Sequence, residues 1–317
     1  MSERPPTRVV MDCDTGVDDT MAIFYALLAP EVELLALSCV WGNVAVQTAT
    51  QNTLRLLEMM DRPTIPVAVG APKPLIGPIW EFGHGVHGAD GQGNVNLPPP
   101  RLTPVAESAA ELIIRLAHEH PGELTLVPTG PLTNVATAVL MDPEIARLYQ
   151  QVVLMGGAFL VKGNAARWGE ANIWHDPEAA QIVFDAGWPV TAVGLDVTDK
   201  TLLSQALLDR LRDSGTTAGV HIHRITGYYV DRYSARTGRR ECTMHDALAL
   251  GIAVDPSLVR TAPKVRVDVE LTGTHTRGMT VGDFRSWVSS ENANVTVVLE
   301  VEGQRFIDRW MDVLSGA

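Results

Sequence analysis

The chain has 317 residues, 46% of them apolar, with 25 Lys plus Arg against 37 Asp plus Glu and a formal net charge of −12. That balance disfavours a nucleic-acid polymer as partner, because a polyanion is repelled. No run of about 18 apolar residues appears, so no membrane-spanning helix is expected. The polar start, Met1 to Pro6, has no apolar core of a secretory signal. Cys13, Cys39 and Cys242 are odd in number and lack metal-ligand spacing. The expectation is a cytoplasmic protein with reduced thiols, Cys13 and Cys39 serving as small core residues.

Short apolar runs alternate with helical patterns along the chain. Strands are predicted at 8–11, 34–40, 66–69, 124–127, 152–155 and 190–193, where short apolar runs imply burial. Helices are predicted at 18–28, 44–60, 105–118, 132–140, 176–185, 220–235 and 246–254. The helix at 18–28 starts on acids, which suit a helix N-terminus. The one at 176–185 starts Asp-Pro-Glu, an N-cap followed by Pro at the first helical position. Stretches 265–271 and 295–301 alternate partly with period two and predict a small antiparallel addition near the C-terminus.

This order predicts an α/β protein with a mostly parallel, open, Rossmann-like sheet, right-handed crossovers and helices on both faces. With no repeat, linker or low-complexity tract, residues 1–317 read as one domain. Two long irregular stretches, 70–103 and 156–175, are candidates for functional loops. In such sheets ligands sit beyond the C-terminal ends of the strands.

Asp12, Asp14, Asp18 and Asp19 place four carboxylates within eight residues at the end of the first strand. One acid can cap the following helix and one can be solvated. Four so close repel unless protons or a cation neutralise them. Oxygen-only donors favour Ca²⁺ or Mg²⁺ over zinc.

The segment from Asp12 to Thr20 (DCDTGVDDT) resembles the N-terminal signature of the inosine–uridine-type nucleoside hydrolases. Further segments match that family in order. They are Val40-Trp41-Gly42-Asn43, the turn from Val127 to Asn134 (VPTGPLTN), and Val153 to Ala158 (VLMGGA). Gly163-Asn164, Glu170 to Ile173 (EANI), Asp176 to Ala180 (DPEAA), His245-Asp246 and Thr276 to Thr280 (TRGMT) follow. The likeness runs from about Val10 to Arg285. A second family, the haloacid dehalogenase-type phosphatases, carries Asp-x-Asp-x-Thr/Val after its first strand. Here Gly16 takes the last position, and the pair Asp18-Asp19 has no role in that signature.

The resemblance implies hydrolysis of the N-glycosidic bond of ribonucleosides to ribose and free base. It implies one Ca²⁺ held by Asp14, Asp19, Asp246 and the backbone carbonyl of Thr129, all hard oxygen donors. The ion would share the ribose 2′- and 3′-hydroxyls and a water, the nucleophile, whose proton Asp14 takes. Asp18 and Asn172 would bind ribose hydroxyls. Asn43, Asn164 and Glu170 would fix the other polar edges of the sugar, and Met155 would pack against it. His245 is the candidate proton donor to the leaving base, since imidazole titrates near neutrality. A His at this place resembles the branch accepting inosine and uridine. His87 matches a base-contacting position in a glycine-dense loop. Tyr229, among Tyr228 and Tyr233 on the helix at 220–235, is a further base contact.

Structural readings stand beside these. Asn43 suits a turn, Asn134 a turn or cap, Met155 a core strand end, and Glu170 and Asn172 a solvated loop. Ala171 replaces a Phe common in the family, for which Trp168 is the candidate substitute. Arg167 is an added charge, solvated or selecting an anionic group. The family forms homodimers or homotetramers. The remaining alternatives are a phosphatase with Asp12 as nucleophile and a catalytically silent nucleoside-binding protein.

Overall fold

A computed structural model describes residues 5–79 and 82–317, with the side chains of residues 236 and 237 left aside. Met1 to Arg4 of the polar start, and Trp80 and Glu81 of the irregular stretch 70–103, lie outside the described residues.

Six strands follow the predicted apolar runs: β1 (Thr7–Cys13), β2 (Val32–Cys39), β3 (Val67–Val69), β4 (Leu124–Pro128), β5 (Gln151–Met155) and β6 (Val190–Val193). They pair in the order 3-2-1-4-5-6, all parallel. This is the doubly wound arrangement, in which the strand order reverses beside β1 and opens a crevice between the loops after β1 and β4.

Both faces of the sheet are buried, and β1 shows why. Its alternate residues Val9, Met11 and Cys13 join one apolar core, while Val10 joins the other. The first core takes in helices Val17–Leu28, Val46–Met59, His245–Val254 and Gly303–Ser315. The second takes in Ala109–Glu119, Thr133–Met141 and Pro177–Asp185. Cys13, Cys39 and Cys242 are all buried and unpaired. Among the described residues no helix is long and apolar enough to cross a membrane.

The predicted antiparallel addition near the C-terminus is present, as one edge strand of the main sheet and two small antiparallel pairs. Val295–Val297 runs parallel beside β6 within the main sheet, and only the outermost strand, Lys264–Val265, runs antiparallel to it. Val267–Val269 turns away to pair with Thr280–Gly282, and Glu300–Val301 pairs with Val259–Thr261. The predicted helix at 105–118 starts later, at Ala109. Residues 105–108 bend along β3, with Val105 N donating to Val67 O and Ser108 bridging to Val69, and Ser108 and Glu111 form a capping box. Helices Gln205–Ser214 and Gly303–Ser315, and the strand pair Leu202–Ser204 with Glu241–Thr243, were not predicted.

Candidate active site

The acidic cluster sits where β1 meets the helix Val17–Leu28. Asp14 directly follows β1, Gly16 is the helix N-cap, and Asp18 and Asp19 occupy the first turn. Asp19 reaches back so that its Oδ2 accepts from Gly16 N at 2.8 Å, while its Oδ1 accepts from Thr129 Oγ1 at 2.8 Å. Asp246, in the first turn of His245–Val254, comes from the far end of the chain. Among the described residues, Asp18, Asp19 and Asp246 each offer an oxygen lying within 4.8 Å of the others.

Asp14 stands beside that trio. Its Oδ2 accepts from Asn43 N at 2.6 Å and its Oδ1 from Asn43 Nδ2 at 3.0 Å; the same Nδ2 is 3.3 Å from Asp19 Oδ2. Gly42 allows this approach, since a Cβ there would lie 2.0 Å from Asp14 Oδ2.

Burial raises the carboxyl pKa of all four groups. Neighbouring carboxylates add to this for Asp14, Asp246 and Asp19, the last pushed up to about 6. Asp18 is raised by burial against the opposing pull of His245, and its Oδ1 has no hydrogen-bond partner among the described residues. Buried acids that repel one another, one with an orphan oxygen, form a donor set suited to a hard cation.

A cavity of about 270 Å³ opens above the cluster. Asp18, Asn43, His87, Thr129, Met155, Asn164, Glu170, Asn172, Tyr229, His245 and Asp246 all line it, so the structure gathers most of the residues singled out in the sequence. Asp14 and Asp19 are not in the lining, but both accept from Asn43, which is. Asn172 Nδ2 donates to the carbonyls of Thr129 (2.9 Å) and Met155 (3.0 Å), tying the ends of β4 and β5 together. Glu170 is not a solvated loop residue: it is the N-cap of the helix Ala171–His175, accepting from the backbone N–H of Asn172, Ile173 and Gly157. Asn164 Oδ1 accepts from Ala171 N at 2.9 Å.

One wall is aromatic. His87 Nδ1 accepts from Val17 N at 3.2 Å and lies 3.5 Å from Asp18 Oδ1. Tyr229 is fully buried, with its hydroxyl 3.3 Å from Asp18 Oδ2 and its ring 5.3 Å from that of His87. Burial pushes both His87 and His245 down from the ordinary imidazole value to about 4, which favours the neutral ring in each.

Tyr233, named in the sequence beside Tyr229, belongs to this wall, whereas Thr198, Phe82, Val86, Trp174 and His175 were missed. Tyr233 lines the cavity and its hydroxyl lies 2.8 Å from His245 Nε2; Thr198 Oγ1 lies 2.7 Å from Nδ1 of the same ring. Phe82, Val86, Trp174 and His175 also line it. Trp174, not Trp168, stands at the wall with Ala171, while Trp168 and Arg167 are exposed and away from the lining. The aromatic character of Trp174 was legible in the sequence, but its direction depends on the unpredicted helix.

Asp12 and Asn134 are structural. Asp12 is fully buried and absent from the lining, with its Oδ1 accepting from Ser38 Oγ (2.6 Å) and Asn134 Nδ2 (2.8 Å). Asn134 also donates to Cys39 O and accepts from Ala71 N. A nucleophile needs access to substrate, so the phosphatase alternative is not favoured.

Residues 9–308 match the family described as inosine-uridine preferring nucleoside hydrolase. The chain is 40% identical to the inosine-uridine preferring nucleoside hydrolase of Leishmania major, with 98% of each chain covered. It is 36% identical to a pyrimidine-specific ribonucleoside hydrolase of Salmonella paratyphi B, covering 95% of this chain and 96% of that one. Among solved structures it is similar to a plant nucleoside hydrolase (TM-score 0.94, 35% identity, 99% and 100% covered). It is also similar to the purine-preferring ribonucleoside hydrolase of Gardnerella vaginalis (TM-score 0.92, 37% identity, 98% of each covered). With that likeness spanning the strands and loops that build the cavity, the chain belongs to the inosine-uridine preferring nucleoside hydrolase family and is an enzyme that hydrolyses the N-glycosidic bond of ribonucleosides.

Proposed function

We propose that this enzyme cleaves both purine and pyrimidine ribonucleosides, inosine and uridine among them, with Ca²⁺ as its cation. The observation that carries the reading is the buried acidic cluster on the cavity floor, facing an aromatic and imidazole wall. Asp14, Asp19, Asp246 and the Thr129 carbonyl would hold the ion. When bound there, Ca²⁺ supplies a Lewis acid that acidifies a water and gathers the ribose 2′- and 3′-hydroxyls.

The chain's own groups do the rest. Asp14, held by two hydrogen bonds from Asn43, takes the proton of the attacking water as its oxygen bonds to C1′. The C1′–N bond breaks through an oxocarbenium-like state. Asp18 and Asn172 orient the ribose hydroxyls, and Asn43, Asn164 and Glu170 border the sugar's other polar edges. Met155 packs against the ring. His87 and Tyr229 wall the base, and neutral His245 donates a hydrogen bond to it as negative charge develops there.

One sheet drawing strands from residue 7 to residue 297 supports treating the whole chain as one domain. Exposed Leu140, Met141 and Trp287 support assembly into a homo-oligomer, and three buried unpaired cysteines support a reducing, cytoplasmic setting. Rates of base release from inosine, uridine, cytidine, adenosine and 2′-deoxyinosine test the reading. Inosine and uridine should both turn over, and 2′-deoxyinosine should be slower by about 10- to 150-fold, the worth of one lost charged contact. Equal rates for inosine and its 2′-deoxy form would refute the grip on the diol.

A further inference from the structure

We infer that Thr198 is a positioning residue for His245: its hydroxyl holds the Nδ1 edge of the ring and commits the Nε2 edge, as a hydrogen-bond donor, to the leaving base. This rests on the role given to His245 above.

Thr198 ends the short helix Leu195–Thr198 that follows β6. That helix is firmly seated. Leu195 N donates to Gly157 O, and Asp196 accepts from Phe159 N and Leu160 N at 2.9 and 2.8 Å. Thr198 is fully buried, and its Oγ1 lies 2.7 Å from His245 Nδ1, the one hydrogen-bonding partner of that hydroxyl among the described residues. A buried hydroxyl hydrogen with no acceptor is costly, so Thr198 donates and Nδ1 accepts. An imidazole whose Nδ1 accepts carries its hydrogen on Nε2. With no base bound, that hydrogen is donated to the Tyr233 hydroxyl at 2.8 Å; both side chains line the cavity, where a departing base is the competing acceptor.

The choice of a hydroxyl here has a chemical consequence. In a Ser-His-Asp triad a carboxylate accepts from Nδ1–H, which leaves Nε2 as a base. A threonine hydroxyl that donates to Nδ1 does the reverse and leaves Nε2 as a donor. Cleavage of a nucleoside needs that polarity, because charge develops on the departing base.

The test compares two substrates in the metal-loaded enzyme. Inosine releases hypoxanthine, which needs help as it leaves; 4-nitrophenyl β-D-ribofuranoside releases a phenolate that leaves unaided. Thr198→Val removes the hydroxyl and keeps the shape. It should lower kcat for inosine by about 10- to 100-fold, the range for loss of a residue that orients a working imidazole. KM should hold, and the nitrophenyl rate should stay within about twofold, which also shows that the variant folds. Thr198→Ser should restore most of the inosine rate. His245→Ala is the control and should discriminate between the substrates at least as strongly. Equal slowing of both substrates by Thr198→Val, or no slowing of either, overturns the inference. Failure of His245→Ala itself to discriminate overturns the leaving-group role on which it rests.

Discussion

Gly42→Ala should disable the enzyme without unfolding it, and the size of the effect follows from one contact. An ideal Cβ at position 42 would lie 2.0 Å from Asp14 Oδ2 and 2.8 Å from Pro131 Cδ. Ordinary van der Waals contact begins near 3.4 Å, so the carboxylate must retreat by about 1.4 Å. That movement breaks its hydrogen bonds from Asn43 N and Nδ2 and turns it from the trio Asp18, Asp19 and Asp246. A misplacement of about 1 Å in a reacting group costs on the order of 100-fold in rate. Overpacking a tight site costs about 1–3 kcal/mol of stability, tolerable for a core of this size. The assay is kcat and KM for inosine at saturating Ca²⁺, with thermal melting as the check on folding. A fall of about 100-fold or more in kcat, in a variant that melts cooperatively, is expected. A kcat within about threefold of wild type would show that the position of Asp14 is not critical.

Asp12→Asn should keep N-glycosidase activity within about tenfold, because an amide Oδ1 can still accept from Ser38 and Asn134 while Oδ2, unpartnered among the described residues, is replaced. Complete loss in a folded variant would reopen a direct chemical role for Asp12. Trp310→Ala should destabilise by about 3–5 kcal/mol, since the ring is fully buried and its Nε1 donates to Met21 O at 3.3 Å; denaturant titration measures it, and a loss under about 1 kcal/mol would contradict the packing. Stability should also fall in acid, in part through His221. Burial pushes its folded pKa down to about 4, below the ordinary value near 6.5, so unfolding takes up a proton in that window. The stabilising contribution is complete above pH 6.5 and lost as pH falls towards 4, by about 3 kcal/mol at most. His221→Gln should flatten the stability curve between pH 6.5 and 4, and a curve parallel to that of wild type would refute this source.

Most of the sheet was legible because strands buried on both faces are continuous apolar runs, and β1 through β6 fall within a few residues of their predicted positions. The pair at 202–204 and 241–243 was not, since three-residue strands carry no usable period. The C-terminal helix did carry a signal, with Phe306, Ile307, Trp310, Met311 and Leu314 at helical spacing, and it went unread. In the site, the acids were legible as a cluster, but their convergence depends on the helix starting at Val17, which puts Asp18 and Asp19 in its first turn and leaves Asp14 to Asn43. The partners of His245 come from 12 and 47 residues away, on elements whose meeting no local pattern encodes. Trp174 rather than Trp168 faces the cavity because Glu170 caps a short helix inside a stretch read as loop.

The most direct test of the cation-dependent mechanism is release of free base and reducing sugar from inosine. It is followed in the wild type before chelation, after chelation and after Ca²⁺ is restored, with Asp14→Asn alongside. Turnover that vanishes on chelation, returns with Ca²⁺ and is down by at least about 1,000-fold in Asp14→Asn is predicted, as expected when cation and general base both act. Undiminished turnover in the chelated enzyme, or in Asp14→Asn, would contradict the account.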